Sequence, residues 1–392
     1  MKRIALVNQR YGKEVNGGSE YYTRLLAEQL NKIAQVEVLT TTALSYEKWE
    51  NYYADGVEDI DGLLVRRFKV DKPRATYRQR FIGKILNCFR FKAKWLNQMW
   101  VNTQGPYSPD LIKYIVENKE KFDIFIFVTY LYYSTVYGMP EVKEKALFIP
   151  TAHDEHYIYY NIYKELFRMP KGIIFLTEEE KEFVHGTFGN QDVPNIVAAV
   201  GIDIPKNIDE MRFRKKYGII GSYLIYTGRV DENKGCGQMF EIFRAYRKKM
   251  PERLELVVIG QQFMPMPEDE RIHYLGFIPE QDKFDAVAGA EALWLPSEYE
   301  SLSISVLEAM ALGKPVLVNG KCKVLKGHCM KSGGGVYYED SEQAIKYIEW
   351  FADKEGRNKE YEEMGKAACQ YIKEHYCWER IIERISHLME YI

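Results

Sequence analysis

Short apolar runs alternate along this chain with longer stretches whose apolar positions recur at helical spacing. Residues 4–7 read as a strand, 20–33 as an amphipathic helix, and 36–39 and 63–68 as further strands. A helix then runs to Asn118, with Ser108 in the N-cap position and Pro109 in its first turn. Strands are expected at 124–128, 146–149 and 173–176, and a helix at 178–187 that stops at Gly189. The alternation then restarts. A strand at 224–226, a helix at 238–250, a strand at 254–259 and a short helix at 284–288 lead to a strand at Leu293. Beyond 341 the pattern is mostly helical, and a last helix near Cys377-Trp378 is placed to pack back onto the first half.

Strand–helix alternation predicts parallel sheets covered on both faces. The two series part near 195–205, so the expectation is an α/β chain of two Rossmann-like lobes facing a central cleft. The expected domains are 1–200, with the return of helix 377–392, and 201–376. A length of 392 residues is enough for two full cores. There is no internal repeat or low-complexity tract.

Composition changes this picture little. Net charge is −2, which argues against a nucleic-acid binder. The six cysteines include no CxxC pair and do not form a disulfide-like pattern, so a reducing cytoplasm is expected. The N-terminal apolar run is too short for a signal peptide, and the most membrane-like stretch, 122–139, contains Asp123 and four tyrosines. Charge is locally uneven. Arg66 to Lys94 holds eleven basic residues against the single acid Asp71, interleaved with Phe81, Phe89, Phe91 and Trp95. Two readings stand: a surface for peripheral contact with anionic lipid at the inner face of the membrane, or a solvated basic helix on its lobe.

The densest chemistry lies around two glutamates eight apart. Glu300 falls on a polar loop after the strand at 292–295, and Glu308 falls within the following helix, which Gly313 and Pro315 stop. At that edge of an open α/β sheet, carboxylates grip hydroxyls and a helix start receives an anion. A sugar carried on a diphosphate suits such a place.

Glu300-x7-Glu308 ahead of Gly-Lys-Pro-Val resembles the signature of retaining glycosyltransferases of the GT-B fold, family 4 (glycosyl transferases group 1). Other stretches agree in order along essentially the whole chain. Gly17-Gly18-Ser-Glu resembles the glycine loop after the first strand, and Val200-Gly201-Ile202-Asp203 the interdomain segment, with Val where Asn is usual. Gly228-Arg229 through Lys234-Gly235 resembles the diphosphate-binding loop, and Gly276-Phe277-Ile278 the nucleobase edge.

The resemblance implies a metal-independent hexosyltransferase with no cofactor beyond its nucleotide-sugar donor. The second lobe is expected to hold that donor, and the first lobe the sugar or lipid-linked acceptor. Arg229 and Lys234 neutralise the leaving diphosphate, Glu308 accepts the ribose hydroxyls, and Glu300 contacts the donor sugar. Gly17, Gly18, Gly228, Phe277, Ile278, Ser301, Leu302 and Ser303 line the donor. Ser301-Leu302-Ser303 stands where many relatives carry Gly-Phe-Gly, which narrows the pocket. His153, at the end of the strand at 146–149, orients the anomeric carbon; Asp154 and Glu155 hold acceptor hydroxyls. The Gly17-Gly18 pair does not match GxGxxG, which argues against a dinucleotide cofactor.

Lys321-Cys322 to His328-Cys329 offers three soft or imidazole ligands, short of the four of a closed zinc site, so a packed loop near the donor is expected, with Gly333-Gly334-Gly335 as a turn. Rival readings are an epimerase or phosphorylase of the same fold, or a non-catalytic scaffold partnering an active transferase.

Overall fold

A computed structural model describes residues 1–88, 93–250, 253–353 and 358–391. Phe89, Arg90, Phe91 and Lys92 of the basic tract, and the last residue of the expected final helix, Ile392, lie outside the described residues. The chain divides into two compact units, Met1–Val200 with Trp378–Ile392, and Gly201–Cys377.

The strands of the first unit are β1 (Arg3–Val7), β2 (Gln35–Thr41), β3 (Gly56–Ile60), β4 (Leu63–Phe68), β5 (Ile124–Val128), β6 (Ala146–Ile149), β7 (Gly172–Phe175) and β8 (Asn195–Val197). They form one sheet in the order β3-β4-β2-β1-β5-β6-β7-β8, parallel except for the β3–β4 hairpin. β5 and β6 are buried along their full length, as parallel strands covered by helices on both faces must be. The chain steps outward from β1 to β2, then returns to β5 on β1's other side, which puts a topological switch point at the carboxyl ends of β1 and β5.

The second unit contains β9 (Tyr223–Thr227), β10 (Glu255–Ile259), β11 (Ile272–Gly276), β12 (Ala292–Leu295), β13 (Val316–Asn319) and β14 (Gly335–Tyr338), in the order β11-β10-β9-β12-β13-β14. Every pairing in this sheet is parallel. Its switch point lies between β9 and β12.

The helix Trp378–Glu390 belongs to the first unit, where it packs on β8 and on the helix Gly18–Leu30. It buries Trp378, Ile381, Ile385, Leu388 and Met389. Gly172 makes room for it, since a Cβ there would stand 3.2 Å from Leu388 and 2.8 Å from Leu147.

Several local expectations are corrected. The stretch read as a packed loop is the helix Lys323–Ser332, and the supposed triple-glycine turn is divided: Gly333 caps that helix in the left-handed region (φ 63°), while Gly335 opens β14. Ser108 occupies the N-cap position, but its side chain accepts no cap hydrogen bond. The basic tract is not one helix. Arg66 and Arg67 lie in β4, paired with Glu37 and Glu58; Lys69, Lys72 and Arg74 fall between that strand and the next helix; Arg78, Arg80 and Lys84 lie on the helix Thr76–Cys88 and Lys94 opens the helix Lys94–Gln104.

Candidate functional site

In the second unit the loops at the switch point carry most of the expected donor residues. Gly228 follows β9 directly, and its N–H donates to Ile259 O at 2.9 Å. The neighbouring loop after β10 passes so close that a Cβ on Gly260 would lie 1.8 Å from Gly228 O, so only glycine fits (φ 140°). Asp231 caps the next turn by accepting from the Lys234 N–H at 2.8 Å, and its carboxylate lies 3.6 Å from the Arg229 guanidinium. Gly235 turns in the left-handed region (φ 75°) under the Pro296 carbonyl, which a Cβ would approach to 2.6 Å. That contact brings the Lys234 turn against the loop after β12, where Lys234 Nζ donates to Glu300 Oε1 at 2.6 Å. Arg229, Asp231, Lys234 and Glu300 thus form one linked charged set at the carboxyl ends of β9 and β12.

Glu308 is placed differently. It lies in the helix Ile304–Ala311, 4% exposed, and its two oxygens accept from Lys283 Nζ at 2.7 and 2.8 Å. Lys283 comes from the helix Glu280–Gly289, and nothing in its sequence surroundings singles it out. A buried carboxylate is tolerated only with such a partner. Between the glutamates, Leu302 is buried. Ser303 adopts φ 68°, where a side chain costs about 1–2 kcal/mol. Phe277 and Ile278 follow the edge strand β11; Phe277 is 67% exposed and Ile278 is buried.

The suspected metal ligands are occupied otherwise. His328 Nε2 donates to Leu302 O at 2.8 Å, and Nδ1 lies 3.2 Å from the Tyr371 hydroxyl. Burial pushes the Cys322 thiol up to about 11 and the Cys329 thiol up to about 12. Among the described residues no group of three or more His, Cys, Asp or Glu is arranged to hold a metal ion.

In the first unit, the loop after β1 is built on a buried ion pair. Arg10 reaches Glu20 Oε1 at 2.5 Å, and Gln9 Nε2 and Ser19 Oγ donate to the same carboxylate at 2.8 Å each. Burial opposes this charge, yet Arg10, Ser19 and Gln9 together hold the Glu20 carboxyl below its usual range. Arg10 also donates to Leu44 O and Asn16 O, so it ties the loop down at both ends. Gly17 is extended (φ 165°); what requires glycine is Glu20, whose carboxylate a Cβ would meet at 2.2 Å. Gly18 has open space around its Cβ position.

His153 follows β6, 30% exposed, with Nε2 3.6 Å from Glu155 Oε1. That oxygen also accepts from Tyr130 at 2.5 Å, while Asp154 is exposed and accepts from Tyr159 at 2.6 Å. Beneath the loop lies Glu180, which is not among the residues that the sequence motifs point to. Its oxygens accept from the Ala152 N–H at 2.5 Å and the Leu176 N–H at 2.6 Å, fixing the Thr151–Ala152 peptide to the residue that follows β7. Burial drives its carboxyl from 4.5 up to about 8, against the lowering effect of those two donors. The available signal is Thr177-x-x-Glu180, a helix-capping spacing; Thr177 does cap the Glu180 N–H at 3.1 Å, but the carboxylate reaches past the helix start.

Residues 209–371, wholly within the second unit, match the family model described as glycosyl transferases group 1. Mannosylfructose-phosphate synthase of Agrobacterium fabrum is 25% identical over 142 residues, which is 29% of this chain and 31% of that protein. The chain therefore spans about a third of the length of that curated relative. Sucrose-phosphate synthase from Thermosynechococcus elongatus superimposes with a TM-score of 0.73 at 16% identity, covering 100% of this chain and 98% of the other. Anabaena HepE, solved in complex with UDP and glucose, gives a TM-score of 0.71 at 13% identity, covering 100% of both chains. At these identities the structural likeness is one of fold, and that fold is GT-B.

Proposed function

We propose that this chain is a retaining glycosyltransferase that moves a sugar from a nucleotide-diphosphate sugar to a glycan, lipid-linked or other acceptor in cell-envelope or polysaccharide assembly. The observation that carries the reading is the linked set Arg229–Asp231–Lys234–Glu300 at the switch point of the unit that matches the glycosyltransferase model. Two cations there offset the charge that grows on a departing diphosphate, the role that preorganised donors play in a transition state. Glu308, held in place by Lys283, takes the ribose diol, and Glu300 takes donor-sugar hydroxyls. Phe277 and Ile278 face the base. Gly17 and Gly18 are assigned to donor binding, His153 to steadying the anomeric carbon, and Asp154 and Glu155 to the acceptor.

The bond from the anomeric carbon to the phosphate oxygen breaks as the acceptor oxygen attacks the same face. That phosphate oxygen takes the acceptor's proton, so no protein nucleophile, metal or cofactor enters. The setting is the cytoplasm, with peripheral membrane contact through the basic tract. No described helix is long and apolar enough to cross a membrane.

A thermal-shift panel of nucleotides and nucleotide sugars identifies the donor, because a ligand that binds only the folded chain raises its melting temperature with concentration. Lys234→Ala and Glu308→Ala are expected to lower turnover by about a hundredfold, the scale of removing one transition-state donor. Wild-type turnover in both rejects the assignment. NMR of the product tests retention, since an inverted anomeric centre rules out same-face attack. Nucleoside diphosphate released only when acceptor is present separates transfer from epimerisation. Donor binding without turnover on any acceptor favours a scaffold.

A further inference from the structure

The helix Lys323–Ser332 carries a buried polar relay that neither packing nor the proposed chemistry has used. His328 is 3% exposed, and its Nε2 lies 2.8 Å from Leu302 O. A carbonyl only accepts, so Nε2 holds the proton. In the neutral ring Nδ1 then accepts, and the Tyr371 hydroxyl stands 3.2 Å from it, with the Tyr376 hydroxyl 3.2 Å beyond Tyr371 and 3.5 Å from Nδ1. Each hydroxyl that donates onward polarises the next bond, so the relay strengthens the hold on Leu302.

Both ends of this relay matter. Leu302 O belongs to the peptide plane immediately before Ser303, the residue held at positive φ (68°), between Glu300 and the helix Ile304–Ala311. A hydrogen bond to that carbonyl fixes the plane and keeps the backbone in a conformation a serine rarely adopts. At the other end, the Tyr376 carbonyl accepts from the Ile202 N–H at 2.9 Å. Residues 201 and 377 are where the chain enters and leaves the second unit. The two connecting segments are therefore hydrogen-bonded to each other, and a side chain from one of them ends in the relay.

We propose that His328 is a positioning residue for the sugar-binding loop 300–303, and that Tyr371 and Tyr376 tie the loop's geometry to the pair of segments joining the two units. The role assigned to the loop rests on the function proposed above. His328 touches no substrate; it sets the backbone from which Glu300 and the 301–303 amides meet the donor sugar.

The test compares the full-length wild type with His328→Phe, which keeps a ring and removes the donor, His328→Gln, which restores an N–H, and Tyr371→Phe. Amide deuterium exchange is followed across 300–305, and affinities are measured for UDP against UDP-glucose and for GDP against GDP-mannose. In His328→Phe, exchange across the loop speeds up and the preference for nucleotide sugar over bare nucleoside diphosphate falls about tenfold, the scale of one lost buried hydrogen bond. Nucleoside diphosphate affinity itself stays near wild type. His328→Gln recovers most of the preference, and Tyr371→Phe shows a smaller loss in the same direction, which keeps the test open if the Phe variant does not fold. Equal weakening of both ligand types, or unchanged exchange, overturns the positioning role while leaving the transferase reading intact. Failure of the wild type to bind any nucleotide sugar overturns the transferase reading and this inference with it.

Discussion

Glu180 shows how a single carboxyl can govern a loop without touching substrate. Fully enclosed and bonded to the Ala152 and Leu176 N–H groups, it has a carboxyl pushed from 4.5 up to about 8. The folded chain then binds a proton that the unfolded chain has released, so this contribution to stability is complete below pH 4.5 and is lost as pH rises through about 8. Glu180→Gln does not titrate. Its melting temperature should change less between pH 5 and pH 9 than that of the wild type, by the equivalent of about 2–4 kcal/mol. Parallel curves for the two proteins would show that Glu180 is ionised throughout. The charged residues proposed for the donor are legible in the sequence because they cluster around glycines and strand ends. Lys283 and Glu180 are not, because Lys283 is one lysine among many and Glu180 has the spacing of an ordinary helix cap. Their partners come from distant elements that no local pattern reveals.

At the scale of elements, the parallel strands are easy to read because burial on both faces leaves near-continuous apolar runs such as Ile-Phe-Ile-Phe-Val in β5. β3 escapes the pattern for the opposite reason: it is an exposed edge strand carrying Glu58 and Asp59, visible only through its Asp61-Gly62 turn, where both residues take positive φ. The helix Lys323–Ser332 is hidden because His328 and Cys329, with Cys322 at its N-cap, suggest ligands, although the burial of His328 and Cys329 is that of a helix face. The basic tract divides in the same way. Ile82 and Leu86 are buried, whereas Tyr77, Phe81 and Trp95 are exposed beside Arg78, Arg80, Lys84 and Lys94. Aromatic and basic groups exposed together fit the headgroup region of an anionic bilayer. Sedimentation with vesicles of phosphatidylglycerol should pull the protein down in a salt-sensitive manner, and Phe81→Ser with Trp95→Ser should weaken that by roughly tenfold. Equal recovery on neutral vesicles, or none on either, would leave the tract as a solvated surface.

For the whole molecule, the order of elements in space departs from their order in sequence. The helix Trp378–Glu390 follows the entire second unit yet completes the first, with Arg384 donating to Val197 O at 3.1 Å and Lys2 Nζ reaching Met389 O at 2.5 Å. Each of its buried apolar side chains contributes about 1.5–3 kcal/mol. A chain ending at Cys377 should therefore lose stability in the first unit while the second melts as before, which calorimetry with and without nucleotide resolves. Loss of both transitions together would mean that the two units unfold as one cooperative body.

The same arrangement has a bearing on synthesis. As the polypeptide leaves the ribosome, everything the second unit needs emerges before the segment that closes the first. The earliest-made sheet must wait with an uncovered apolar face until that helix is translated. In this chain the first unit begun is the last one finished, and that interval is when chaperones have most to shield.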